Sequence, residues 1–173
     1  MTEAILFGKL PAHGDFIARG LSDAQTGRLD DYLTASLSDA ATLEDFDALY
    51  AAAPAWRFVM ALDDRMFCGV LAPSVDKVGR QFPILVGVKA AGEQIGLLID
   101  ACEAHLYSAF AEGQTADEVF TALGGFPDMP VSPERLLPGW YLEDEDKIVV
   151  ERLDGSFPDG LMTRMMQAAR QVA

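Results

Sequence analysis

The apolar positions of this chain change period as it runs, and the changes mark out its elements. The first apolar run, Ala4–Gly8, is short and ends on a glycine, which reads as an opening strand. The stretch Gly8-Lys9-Leu10-Pro11-Ala12-His13-Gly14-Asp15 is too rich in Gly and Pro for regular structure. Ser22 and Gln25 have the spacing of a capping box, and Leu29, Tyr32, Leu33 and Leu37 follow at helical intervals. A second helix is expected over 42–53, stopped by Pro54. Residues 57–62 and 67–72 flank the turn Asp63-Asp64-Arg65 and read as a hairpin. Residues 83–89 are apolar almost throughout, the mark of a strand central in a sheet.

From 93 to 112 the spacing becomes helical, with Ile95, Leu98, Ile99, Cys102, Leu106 and Phe110 on one side. A shorter helix is expected over 115–123, ended by Gly124-Gly125. Residues 126–139 hold four prolines and read as a long ordered connection. Trp140-Tyr141-Leu142 and Ile148-Val149-Val150 bracket Glu143-Asp144-Glu145-Asp146, giving a second hairpin with an acidic tip. Residues 158–172 close the chain as a helix whose inner stripe is Leu161, Met162, Met165, Met166 and Ala169. Two hairpins exclude a purely parallel sheet. The expected fold class is a single α/β (α+β) domain over 1–173, with a mixed, largely antiparallel sheet and helices on its faces.

Charge narrows the partners. Twenty-seven acidic against 13 basic side chains give a formal net charge of −14, which repels a nucleic-acid duplex and an anionic membrane surface alike. No run of about 20 apolar residues exists to span a bilayer. The N-terminus lacks a basic region and a small-residue cleavage site, so no signal peptide is expected and the cytoplasm is the expected location. Cys68 and Cys102 lie outside any CxxC or Cys/His cluster, consistent with two buried thiols in a reducing compartment and with no zinc site.

The chain carries few residues in catalytic patterns. Gly8-Lys9 after a strand invites a phosphate-loop reading, but Lys9 is followed by Leu10-Pro11 instead of Ser or Thr. No GxGxxG or GxSxG occurs. His105 falls in an amphipathic helix beside Glu103 without metalloprotease spacing, and reads as a helix-surface residue. Ser74, Asp76 and His13 could form a triad only without a nucleophile elbow. The Glu143–Asp146 cluster lacks the glycine and terminal glutamate of a calcium loop. No metal and no cofactor are expected.

Two segments stand apart. Residues 8–21 and 69–84 mix glycine, proline and charge beside strands, where sites are usually mounted. They hold Lys9, Arg19, Lys77 and Arg80 against Asp15 and Asp76, a local +2 that leaves −16 for the rest of the chain. If the loops meet, they make an electropositive spot on an acidic body. Alternatively Asp15–Arg19 and Asp76–Arg80, each four apart, pair and pin their own loops.

These segments resemble the GKLPxxGDF-x-x-RG and PSxDxxGRxFP signatures of the TagF family, also called ImpM, of type VI secretion-associated proteins. Trp56 ahead of a strand, Trp140-Tyr141, and Phe157-Pro158 before the last helix add to the resemblance, which runs from about Ile5 to Met166. It implies a cytoplasmic accessory protein that represses secretion-machine assembly or firing after translation. It also implies a forkhead-associated (FHA) scaffold protein as partner. Some members are fused to a PP2C-type phosphatase, for which this chain has no room, and the family attaches no catalytic residue set to the domain itself.

The expectation is therefore a non-catalytic module of secretion control that binds a protein through Lys9, Asp15, Arg19, Ser74, Asp76 and Arg80. Arg19 or Arg80 would offer a planar fork to a carboxylate or phosphate on the partner, with the aspartates orienting it. The alternative is a small hydrolase or phosphate-handling enzyme built on Asp15, Arg19, Ser74, Asp76 and Arg80.

Overall fold

The capping box at Ser22 is formed: its side chain accepts from the Gln25 amide while Gln25 returns a bond to the Ser22 amide, starting helix α1 (Asp23–Ala40). Around it the computed structural model, which describes residues 2–127 and 136–172, places seven strands and four more helices. The strands are β1 (Ala4–Gly8), β2 (Ile17–Arg19), β3 (Trp56–Leu62), β4 (Arg65–Ala72), β5 (Ile84–Lys89), β6 (Gly139–Glu143) and β7 (Val149–Asp154). The helices are α2 (Phe46–Ala52), α3 (Ile95–Glu112), α4 (Ala116–Gly124) and α5 (Leu161–Val172). Residues 128–135 of the connection expected over 126–139 lie outside the described residues.

One sheet runs in the order β2-β1-β5-β4-β3-β6-β7, and among the described residues every neighbouring pair is antiparallel. The β3, β4 and β5 strands are adjacent, as the apolar runs imply, but no parallel pair accompanies them. Helices α1, α2 and α5 cover one face over a core that includes Phe58, Met60, Trp140 and the buried stripe of α5. Helices α3 and α4 cover the other, over Cys68, Val70, Val86 and Leu106. Double coverage explains why β1 and β5 read as continuous apolar runs although the sheet is antiparallel: alternate side chains go to opposite faces, and both faces are dry. Each buried Met of α5 contributes about 1.5–3 kcal/mol of transfer free energy, so packing does most to hold that helix in place.

Several boundaries differ from the sequence expectation, each for a local reason. Leu62 pairs with Arg65, so the first hairpin turns on two residues, and Arg65 belongs to β4. Asp63 takes φ 56°, which aspartate tolerates, and its carboxylate accepts from Gln25 at 2.8 Å. Helix α2 begins only at Phe46, because Asp45 turns left-handed at φ 61° and Leu43 packs on the core from a turn. Glu143 is the last residue of β6 instead of part of the tip, which Asp144 closes by accepting from the amides of Asp146 and Ile148. A 3₁₀ turn, Gly92–Gln94, precedes α3, and α5 starts at Leu161.

Both thiols are buried and free. Burial pushes the Cys68 thiol up to about 12 and raises Cys102 as well, so neither is a thiolate at neutral pH. His105 is half-buried on α3, its ring 5.3 Å from that of Phe126. Among the described residues no helix is long and apolar enough to cross a membrane.

Candidate functional site

Gly8 closes β1 at φ +132°, and a Cβ there would stand 2.0 Å from the Pro83 carbonyl oxygen. Only glycine lets the end of β1 lie this close to the start of β5. Gly20 does the same at the other end of the loop, at φ +71° with a Cβ position 2.0 Å from the Ala4 oxygen. Gly8 therefore starts the loop against the segment leading into β5, and Gly20 closes it against the start of β1.

That second segment is folded around Asp76. Val75 and Gln81 form an isolated antiparallel bridge, and the Asp76 amide donates to the Arg80 carbonyl at 3.0 Å. The Asp76 side chain is fully buried, and its Oδ1 accepts from the amides of Val78 (3.0 Å) and Arg80 (2.9 Å). Its Oδ2 accepts from Arg80 Nε at 2.6 Å and faces Lys9 Nζ at 3.3 Å. Burial by itself would raise the Asp76 pKa. The Arg80 amide and guanidinium, the Lys9 ammonium and the Val78 amide outweigh it and hold the carboxyl well below the usual carboxylate range.

The two loops converge on this carboxylate. Lys77 donates its amide to the His13 carbonyl at 2.7 Å, and Arg80 Nη2 donates to the Gly14 carbonyl at 2.6 Å. Phe16 packs edge-on against Phe82 with centroids 4.7 Å apart, and Lys9 Nζ lies 4.9 Å above the Phe16 ring.

Both converging loops fall inside the span matched by the model of the TagF N-terminal domain, type VI secretion system-associated, which covers residues 6–121. The chain belongs to this family. Among solved structures it resembles that of PA0076 from Pseudomonas aeruginosa PAO1, with a TM-score of 0.69 at 22% identity over 94% of this chain and 93% of that one. At that identity the likeness is one of fold. Comparison with curated proteins gives no match.

Not every charged residue of the TagF signature joins the cluster. Lys9, Asp76 and Arg80 come together, whereas Ser74 lies on the same loop as Asp76 but is held by Tyr50 and Val75. Arg19 sits on β2 and turns to Asp117 of α4, Nε to Oδ1 at 2.8 Å. Asp15 is exposed and has no hydrogen-bond or ion-pair partner among the described residues, so the Asp15–Arg19 pair is not formed while Asp76–Arg80 is. Without Arg19 the local balance of the converged loops falls from +2 to +1.

Nor does the arrangement assemble a Ser74–His13–Asp76 triad. The Ser74 backbone is clasped by the Tyr50 hydroxyl, which donates to its carbonyl at 2.8 Å and accepts from its amide at 3.0 Å. Burial raises the Tyr50 phenol against the pull of that bond, so it stays protonated. Ser74 Oγ reaches only the Val75 carbonyl, at 3.5 Å. His13 Nε2 accepts from the Ala116 amide at 2.9 Å, capping the start of α4. An open cleft of ≈ 290 Å³, lined by Pro11, Tyr50, Pro73, Val75 and Gln81 among others, lies beside the loops. Among the described residues no cluster of His, Cys, Asp or Glu could hold a metal ion.

Sequence reasoning missed the second polar centre of this TagF domain. Arg57, on β3, is buried and faces three carboxylates: Asp100, Glu103 at 3.1 Å and Glu143 at 3.4 Å. Lys147 reaches Asp100 from the tip of the second hairpin at 3.1 Å. The only signal in the sequence is an arginine inside a run that is otherwise apolar.

Proposed function

We propose that this chain is a non-catalytic, cytoplasmic regulator of type VI secretion that acts after translation. In this reading it represses assembly or firing by binding a protein of the machine, an FHA-domain scaffold, through the two-loop surface. Family membership sets the context of secretion. The observation that carries the binding role is the division of labour at the cluster. Asp76 and Lys9 are buried and spend their polar atoms on the fold, whereas Arg80 stands over them with its side chain 61% exposed. A guanidinium has five N–H donors, and Arg80 uses two, leaving three without a partner among the described residues. A planar fork held in place by its own loop, with donors to spare, suits recognition of a carboxylate or phosphate. The engagement of His13 with the Ala116 amide, away from Ser74, supports binding over hydrolysis.

Arg80→Gln tests this reading. In cells carrying the secretion cluster, the wild-type chain should co-purify the scaffold, and its deletion should raise effector release. Arg80→Gln should lower scaffold affinity by about 2 kcal/mol, roughly 30-fold, and fail to complement the deletion. Its own fold should lose only about 1–2 kcal/mol, because Asp76 keeps Lys9 and two amides. A wild-type chain that binds no scaffold and whose deletion leaves release unchanged would end the proposal.

A further inference from the structure

We infer that the two-loop surface receives an acidic segment of its partner carrying an apolar side chain. This rests on the binding role proposed above and specifies the chemistry of what is bound. Phe16 is 50% exposed although its ring is anchored on Phe82, and Val78 at 72% is the most exposed large apolar residue of the chain among those described. Both belong to one connected network: Phe16 lies under Lys9, Lys9 meets Asp76, and Asp76 holds the Val78 amide and Arg80. Two exposed apolar residues therefore share these loops with the exposed side chain of Arg80.

Charge selects the occupant. The exposed charges carried by the two loops themselves are Lys77, Arg80 and Asp15, a local +1 on a chain of −14, with Asp47 of α2 at their edge, where it accepts from Gln81 at 3.2 Å. The Lys77 ammonium has no partner among the described residues, and Arg80 keeps three donors. An acidic segment is repelled by most of this protein and accepted here, so its placement is specified as much by rejection elsewhere as by attraction. The other exposed apolar run, Ile148 to Val150, lies next to Glu145 and Asp146 and offers the opposite setting. The rigid backing matters too: the loop is braced by a buried carboxylate, so little ordering entropy is lost when a partner docks.

Photo-cross-linking in cells carrying the secretion cluster tests this with the full chain. A benzophenone amino acid is placed at position 78, with positions 97 and 148 as exposed apolar controls, and the captured peptide is sequenced. The expected result is an adduct from position 78 to a segment in which Asp and Glu outnumber Lys and Arg. Adduct yield with purified partner should fall about tenfold on Lys77→Glu, and likewise when salt rises from about 0.05 to about 0.5 M. Lys77→Glu breaks no intramolecular contact, so a normal melt must accompany that loss. A basic or neutral segment captured from position 78, or a yield there indifferent to salt, would overturn the inference while leaving the binding role standing. Adducts only from positions 97 or 148, or from none of the three positions, would overturn both.

Discussion

Replacing Arg57 with methionine isolates the polar centre that ties the second hairpin and α3 to β3. Methionine keeps an unbranched stem of similar reach, so the loss of packing is small and the change reports the guanidinium. The Arg57 side chain is 6% exposed, whereas Asp100, Glu103 and Glu143 are 45%, 30% and 19% exposed. Removing one partner of a fully buried ion pair costs about 3–5 kcal/mol, because the surviving charge is stranded. Here the three carboxylates can partly rehydrate, and only Lys147 remains to offset their mutual repulsion. The balance comes to about 2–3 kcal/mol, or about 5–10 °C in Tm for a domain of this size. Urea unfolding at pH 7 followed by tryptophan fluorescence measures it, since Trp140 on β6 packs 5.0 Å from Phe58 and reports the hairpin directly. Hydrogen exchange should quicken first in β6 and β7, because the side-chain tie that reinforces their backbone pairing with β3 has been cut. Arg57→Lys keeps a charge but not the fork, and should recover about half of the loss. A cost below about 0.5 kcal/mol, or uniform acceleration of exchange across the sheet, would refute the account of Arg57 as a fastening point.

Gly8→Ala should destabilise by more than about 3 kcal/mol or prevent folding, because its Cβ meets backbone at 2.0 Å and no side-chain rotation relieves it. A thermal melt within about 2 °C of wild type, the scale of a surface change in a domain this large, would show that the glycine serves something other than strand approach. Asp76 makes stability depend on acid. In the unfolded chain it takes up a proton near the ordinary value of about 3.9, whereas folded it resists until lower pH, so its contribution is complete above about pH 5 and is lost as pH falls toward 2. Urea midpoints at pH 6 and pH 3 should therefore lie closer together in Asp76→Asn than in the wild type, with the pH 6 value lowered; an unchanged gap would contradict the depressed pKa.

Family membership and the bracing of the cluster bear on each other. Much of what makes the two signatures recognisable is structural: Gly8 and Gly20 permit close backbone approach, Asp76 folds its loop, and Lys9 neutralises it. Residues of this kind define the surface without touching a partner, and Asp15, Phe16, Lys77, Val78 and Arg80 are among those exposed on it.

Periodicity along the chain was enough to locate nearly all the strands and helices, the Ser22–Gln25 capping box, the adjacency of β3, β4 and β5, and the burial of both thiols. Those features depend on side-chain repeats and short-range hydrogen bonds, which neighbouring residues carry themselves. The three-residue strand β2 escaped because a Gly-rich segment that short has no period to read; its pairing with β1 comes from the turn that Gly8 and Gly20 permit. Asp15–Arg19 and Asp76–Arg80 have the same spacing in sequence, yet only the second pair forms. Residues 17–19 are extended, so the chain does not coil back to bring Arg19 to Asp15, and Arg19 meets Asp117 of α4 instead. Residues 76–80 are wound into a turn with Gly79 at φ +88°, which folds the same spacing onto itself. Arg57 looks in sequence like a charge misplaced in a strand, and its carboxylate partners lie 43 or more positions away on α3 and β6. Which charges meet is a property of the packed sheet, because the distance between them is set by the fold and not by the intervening chain.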